Sequence, residues 1–199
     1  MLARLAHAYG MTHATLGTAA AVLVGLLVQQ NTLGVTRQPL PMVWPIAVLH
    51  IVLAQLPLRD LLTPVERVAH RTPLSRAARA GFSVGLLAVG AATYVTAGDS
   101  RELLTFFLLL TAVGFTAAAL ARSDPWVWTL GVGLSVIGLA FVTPAGAAVS
   151  DALLAVPVPA AAASAAVACC LYATQELAIG GRTAGLPRRR ANSRSADLS

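Results

Sequence analysis

From Leu103 to Ala121 the chain reads LLTFFLLLTAVGFTAAALA, without one charged side chain. Five further runs share this character: Met11 to Val28, Leu40 to Leu58, Ala80 to Ala97, Trp126 to Thr143 and Ala160 to Ile179. Each comes close to the ~20 residues with which a helix crosses a hydrocarbon layer ~30 Å thick. They lack the apolar–polar alternation of a barrel strand. Of the 199 residues 57% are hydrophobic and 11% are charged, against roughly 25% charged in a soluble domain. Too little polar surface remains to cover a soluble core of that size. The expected fold is therefore all-α: a polytopic integral membrane protein with six transmembrane helices over residues 1–180, and a disordered tail over 181–199.

The basic residues set the orientation. All fourteen are arginines, which together with the Ala, Gly, Val and Leu content fits the codon bias of a GC-rich bacterium. With the N-terminus in the cytoplasm, Arg37 and Arg101 fall outside. Arg4, Arg59, Arg67, Arg71, Arg76, Arg79, Arg122 and the tail arginines fall inside. Positively charged loops stay cytoplasmic, so both termini are expected inside, in a bacterial inner membrane. The first run has the charge and apolar stretch of a signal peptide, but VQQNTLGV after it offers no A-x-A cleavage site, so it is read as a retained helix.

Two connections stand out. RDLLTPVERVAHRTPLSRAAR, Arg59 to Arg79, is a basic island between the second and third runs. Thr63-Pro64-Val65-Glu66 has the form of a capped helix start, with Pro64 at the first helical position and Glu66 completing a capping box. Pro73 ends that short cytoplasmic helix near Arg71, because the residue before a proline avoids helix. Thr72-Pro73 then opens the third membrane helix. The second connection, PAGAAVSDALLAVPVP from Pro144 to Pro159, is apolar, too short to span and bounded by prolines. It is expected to form a short re-entrant or interfacial helix on the outer side. Gly180-Gly181 suits a helix C-terminus, and the Arg-rich tail beyond suits anionic lipid.

This layout resembles the permease subunits of ATP-binding-cassette transporters of the type-two exporter class. The likeness lies in six helices with both ends inside, a short cytoplasmic helix between helices two and three, and an apolar hairpin before helix six. It implies that the island is a coupling helix docking on a separate cytoplasmic ATPase subunit. Glu66, Arg67, His70 and Arg71 would be the docking residues, and the permease would work as a homo- or hetero-dimer. MLARLAHAYG is shorter than the interfacial helix with which those permeases usually begin.

Polar residues within apolar runs are functional candidates by default. His50 and Gln55 in the second run are candidates for a substrate path. His13 in the first run, taken with His50, raises haem ligation or proton transfer, against which stands a hydrogen-bonded core histidine. Pro45 in the second run is either a hinge or a fixed kink. Gly17, Ala21 and Gly25, Gly81 and Gly85, and Gly114 and Ala118 have the spacing of close-packing helix faces. The adjacent Cys169 and Cys170 cannot pair without strain and suit plain packing. No P-loop, H-E-x-x-H or G-x-S-x-G motif marks an enzyme, and no cofactor is implied. The basic tail has no aromatic residues for nucleic acid to stack on, and lipid is its expected partner. The other reading is a non-transporting accessory or immunity protein that binds a partner in the bilayer.

Overall fold

The structure, a computed structural model, describes residues 10–28, 30–33, 40–58, 73–96, 100–121, 124–142 and 144–183. Among these the fold is all-α. In chain order come α1 (Met11–Val28), α2 (Val43–Ala54) with a 3₁₀ turn at Leu56–Leu58, and α3 (Pro73–Thr96). Then follow α4 (Ser100–Thr116) with a π turn at Ala117–Ala121, α5 (Pro125–Val142), α6 (Pro144–Leu154) and α7 (Val158–Thr183). Between α1 and α2, β1 (Thr32–Leu33) pairs antiparallel with β2 (Leu40–Pro41), Thr32 facing Pro41 and Leu33 facing Leu40. The island's Arg59 to Thr72, with Glu66, Arg67, His70 and Arg71, lies outside the described residues, as do residues 184–199.

Proline and glycine set most helix starts. Pro73, Pro125 and Pro144 each stand at the first helical position, where the missing N–H would have had no partner anyway. Gly10 precedes α1 at φ 68°, a left-handed conformation open to glycine, and its carbonyl accepts the Ala14 N–H at 2.9 Å. Pro45 belongs to the same logic. Because Leu40 and Pro41 are taken into the strand pair, α2 starts only at Val43 and Pro45 sits in its first turn. It removes no interior hydrogen bond, so the hinge or kink expected there does not arise. At the far end, α7 runs through Gly180 and Gly181 to Thr183.

Helix α2 is the axis of the bundle. It packs against α1, α3, α4 and α5, and Ile46, Ala47, Val48, His50, Ile51, Val52 and Ala54 are all buried. Helix α1 presents to it the stripe Ala14, Thr18, Ala21 and Gly25, spaced as one helical face. Helix α7 lies along α4 and also touches α3, while α6 folds back on α5 and α4. The Thr105 hydroxyl of α4 donates to the Val156 carbonyl at 3.5 Å, pinning the α6–α7 turn. On α3, Gly81 and Gly85 make no packing face: among the described residues no atom lies within 4 Å of a Cβ built on either. The close contact on α3 is made by Gly90 instead.

The outer surface is apolar. Leu16, Leu23 and Leu27 on α1 are 67%, 60% and 73% exposed, and Leu120 on α4 is 72% exposed. Leu49, Val89, Leu139 and Val167 carry the same pattern to four other helices. Two helices, Met11–Val28 and Arg101–Leu120, are long and apolar enough by length and composition to cross a membrane. Val43–Leu58, Pro125–Phe141 and Val158–Thr174 are shorter apolar helices.

Candidate functional site

The interior polar groups gather around α2. His50 is fully buried, and its Nε2–H donates to the Leu86 carbonyl of α3 at 3.1 Å. A carbonyl only accepts, so this bond leaves Nδ1 with its bare lone pair in the neutral ring. The approach is open because the residue four positions after Leu86 is Gly90. A Cβ on Gly90 would overlap the imidazole. The ring is also wedged between two aromatics, edge-on to Tyr94 at 5.8 Å and tilted to Phe107 at 5.7 Å, and those two lie 5.9 Å apart.

About a turn and a half further along the chain, Gln55 ends α2 and is also fully buried. The Thr129 hydroxyl of α5 donates to its Oε1 at 2.6 Å. Its amide lies flat on Gly114 of α4, where a Cβ would overlap it. Two polar side chains on one helix are thus seated in two glycine sockets on two neighbours. Sequence reasoning marked His50, Gln55 and the small residue Gly114, but not Gly90, Tyr94 or Thr129. Thr129 was open to the argument applied to His50, being a polar residue inside an apolar run. Gly90 gives no such sign, because its meaning depends on what lies opposite.

Several buried polar atoms make no hydrogen bond among the described residues: His50 Nδ1, Gln55 Nε2, Tyr94 Oη, Thr18 Oγ1 and Ser83 Oγ. Each such group costs about 1–3 kcal/mol, so the core carries more polarity than packing requires. His13 does not belong to this cluster, lying on the exposed side of α1. No group of three or more His, Cys, Asp or Glu that could hold a metal ion occurs among the described residues. Cys169 is half-buried, Cys170 is exposed, and both are free thiols.

A second constellation lies where the island meets the bundle. Tyr172 of α7 donates its hydroxyl to the Leu58 carbonyl at 3.5 Å. The Arg76 guanidinium sits over its ring, 5.5 Å from the centroid, and Phe115 of α4 meets it edge-on at 6.0 Å. Leu58 is the last described residue before the island, and Arg76, in the island's described end, lies in the first turn of α3. The residue just before the island and an arginine near the island's end therefore meet at one tyrosine. The four docking candidates lie outside the described residues, and His50 and Gln55 sit in the core. No family model, no curated protein and no solved structure matches this chain.

Proposed function

We infer that the chain is a multi-pass protein of a bacterial cell membrane. Helices α1, α2, α3, α4, α5 and α7 are its six spans, and both termini are cytoplasmic. The apolar outer surface supports this reading, since soluble monomers rarely expose contiguous apolar patches beyond a few hundred Å². So do the exposed hydroxyls that turn back on their own helix: Thr15 to Met11 O, Thr93 to Val89 O, Ser164 to Ala160 O and Thr174 to Cys170 O, at 2.7–2.9 Å. In lipid a hydroxyl has no water to bond and must be satisfied within the chain.

Within that frame the protein serves as the permease subunit of an ATP-driven transporter, an exporter that works as a dimer and relies on a separate ATPase. The observation that carries this reading is the Tyr172 node. A partner pressing on residues 59–72 would move Leu58 and Arg76, and through Tyr172 it would move α7 and α4 as well. A loop that served as a topological anchor alone would need no such tie.

The test is charge reversal of the docking face. Arg67 and Arg71 lie one helical turn apart in the expected coupling helix, so Arg67→Glu with Arg71→Glu should abolish copurification of the ATPase. Several charge pairs at a contact rim can together be worth a few kcal/mol. The arginines that remain keep the loop cytoplasmic. An ATPase that binds the double variant as well as wild type, or no ATPase recovered with wild type, overturns the permease reading in favour of the accessory or immunity protein.

A further inference from the structure

Four of the buried polar atoms that bond nothing among the described residues fall in line along one seam of the bundle. On α3, Ser83, Leu87, Gly90 and Tyr94 are all buried and share a helical face. On α1 the buried face is Ala14, Thr18, Ala21 and Gly25. Both helices pack on α2 and on each other. A Cβ built on Gly25 would meet Tyr94 and Ile46, one on Gly17 would meet Leu53, and one on Gly90 would overlap His50. These contacts run α1 and α3 antiparallel to α2 and fix the heights of their residues along it. Tyr94 stands level with Ile46, Thr18 with Val52 and Leu53, and Ser83, seven residues before Gly90, with Gln55. Tyr94 Oη, His50 Nδ1, Thr18 Oγ1 and Ser83 Oγ therefore follow one another at steps of roughly 4–6 Å, counted at 1.5 Å per residue.

The chemistry of these atoms selects an occupant. Nε2–H of His50 is committed to the Leu86 carbonyl, so Nδ1 offers a lone pair and needs a donor, whereas each hydroxyl can both donate and accept. Thr18 and Ser83 also forgo the bond to the carbonyl four residues back, which Thr15, Thr111 and Ser164 make at 2.8–2.9 Å. Buried polar groups of native proteins are almost all bonded, to protein or to ordered water. A water seeks two to four polar partners, and with two bonds of about 2.8 Å it spans the step from one of these groups to the next. A cation would want carboxylates, and neither Asp nor Glu occurs in α1, α2 or α3. A larger polar molecule would have to part helices that already touch at Gly25 and Gly90. We propose that the α1–α2–α3 seam is a binding site for a file of internal water, bonded in turn to Tyr94 Oη, His50 Nδ1, Thr18 Oγ1 and Ser83 Oγ. The site rests on burial within the bundle and is independent of the permease reading, whose ATPase has no part in it.

X-ray footprinting of the purified wild-type chain tests it. The beam splits bound water into hydroxyl radicals in place, so a side chain beside that water is oxidised however little bulk solvent reaches it. Phe106 and Phe107 are matched probes, adjacent in sequence and 4% and 2% exposed. Phe107 meets the rings of His50 and Tyr94, whereas Phe106 meets Trp44. Oxidation, read by tandem mass spectrometry, should be several-fold faster at Phe107 and Tyr94 than at Phe106. Equal rates at the two phenylalanines overturn the proposal. A second measurement uses Thr18→Val, which keeps the shape and removes one hydroxyl. In a dry seam that change deletes an unbonded polar group and raises Tm; in a hydrated one it takes a partner from the water. The variant should therefore melt below wild type and oxidise more slowly at Phe107, and a raised Tm overturns the site. Should the variant misfold, the comparison of Phe106 with Phe107 in wild type decides alone.

Discussion

The imidazole of His50 and the amide of Gln55 are held by what their neighbours lack. Each rests where a glycine leaves out its Cβ, so Gly90→Ala and Gly114→Ala should each destabilise the bundle by about 1–3 kcal/mol through overpacking. Thermal denaturation in detergent, followed by size exclusion, would read this. His50→Ala should rescue Gly90→Ala but leave Gly114→Ala unrescued; rescue of both would mean that the sockets are not specific. Thr129 gives a second test. Thr129→Val removes the donor to Gln55 Oε1 and leaves the whole amide unpaired, at about 1–3 kcal/mol. Adding Gln55→Leu removes the stranded group, so the double variant should be more stable than Thr129→Val alone.

At the scale of elements, the apolar runs foretold the helices to within a few residues where nothing competed for the chain. Met11–Val28 is the clearest case, and Thr72-Pro73 announces the start of α3. The exceptions have local causes. Leu40 and Pro41 looked like part of α2, yet they pair with Thr32 and Leu33, and no periodicity in so short a ladder reveals it. That shift turns Pro45 from an interior break into a first-turn residue. Pro45→Ala should therefore change stability by no more than about 0.5 kcal/mol, whereas a working hinge or kink would register as a larger change in Tm. The site was half legible. A lone histidine in an apolar run can be noticed from sequence, but Gly90, Gly81 and Gly85 look alike until the helix rotates one toward α2 and two away from it. Helix α6 was foreseen as a short helix, and its setting against the bilayer is open to experiment. With Val149 and Asp151 both exposed, an interfacial α6 should let water-soluble maleimide reach Asp151→Cys faster than Leu154→Cys, which packs against the core. Equal rates at both positions would argue for a frayed loop.

For the whole molecule, the arginine asymmetry and the six-span reading make one joint prediction. Cysteines at Asp99 and Val149 should react from outside intact cells, and those at Ser75 and Ser195 only after the cytoplasm is opened. Labelling of Ser75 from outside would end the model of both termini inside. The axial helix carries a consequence of its own in such an orientation. Val43 to Leu58 is ~24 Å long, while the 24 residues of α3 and the 26 of α7 reach ~36 and ~39 Å. The strand pair brackets α2 at one end, and the 3₁₀ turn at Leu56–Leu58 closes it at the other. Membrane voltage falls mainly where the dielectric is low, so if water reached both ends of α2 in a membrane it would fall along this axis over ~24 Å instead of the ~30 Å of the surrounding hydrocarbon. The electric field would then be about a quarter steeper here than in the lipid. A potential of 100 mV does ~2.3 kcal/mol of work on each elementary charge that crosses, and along α2 that work would then be concentrated in the few turns that hold His50 and Gln55.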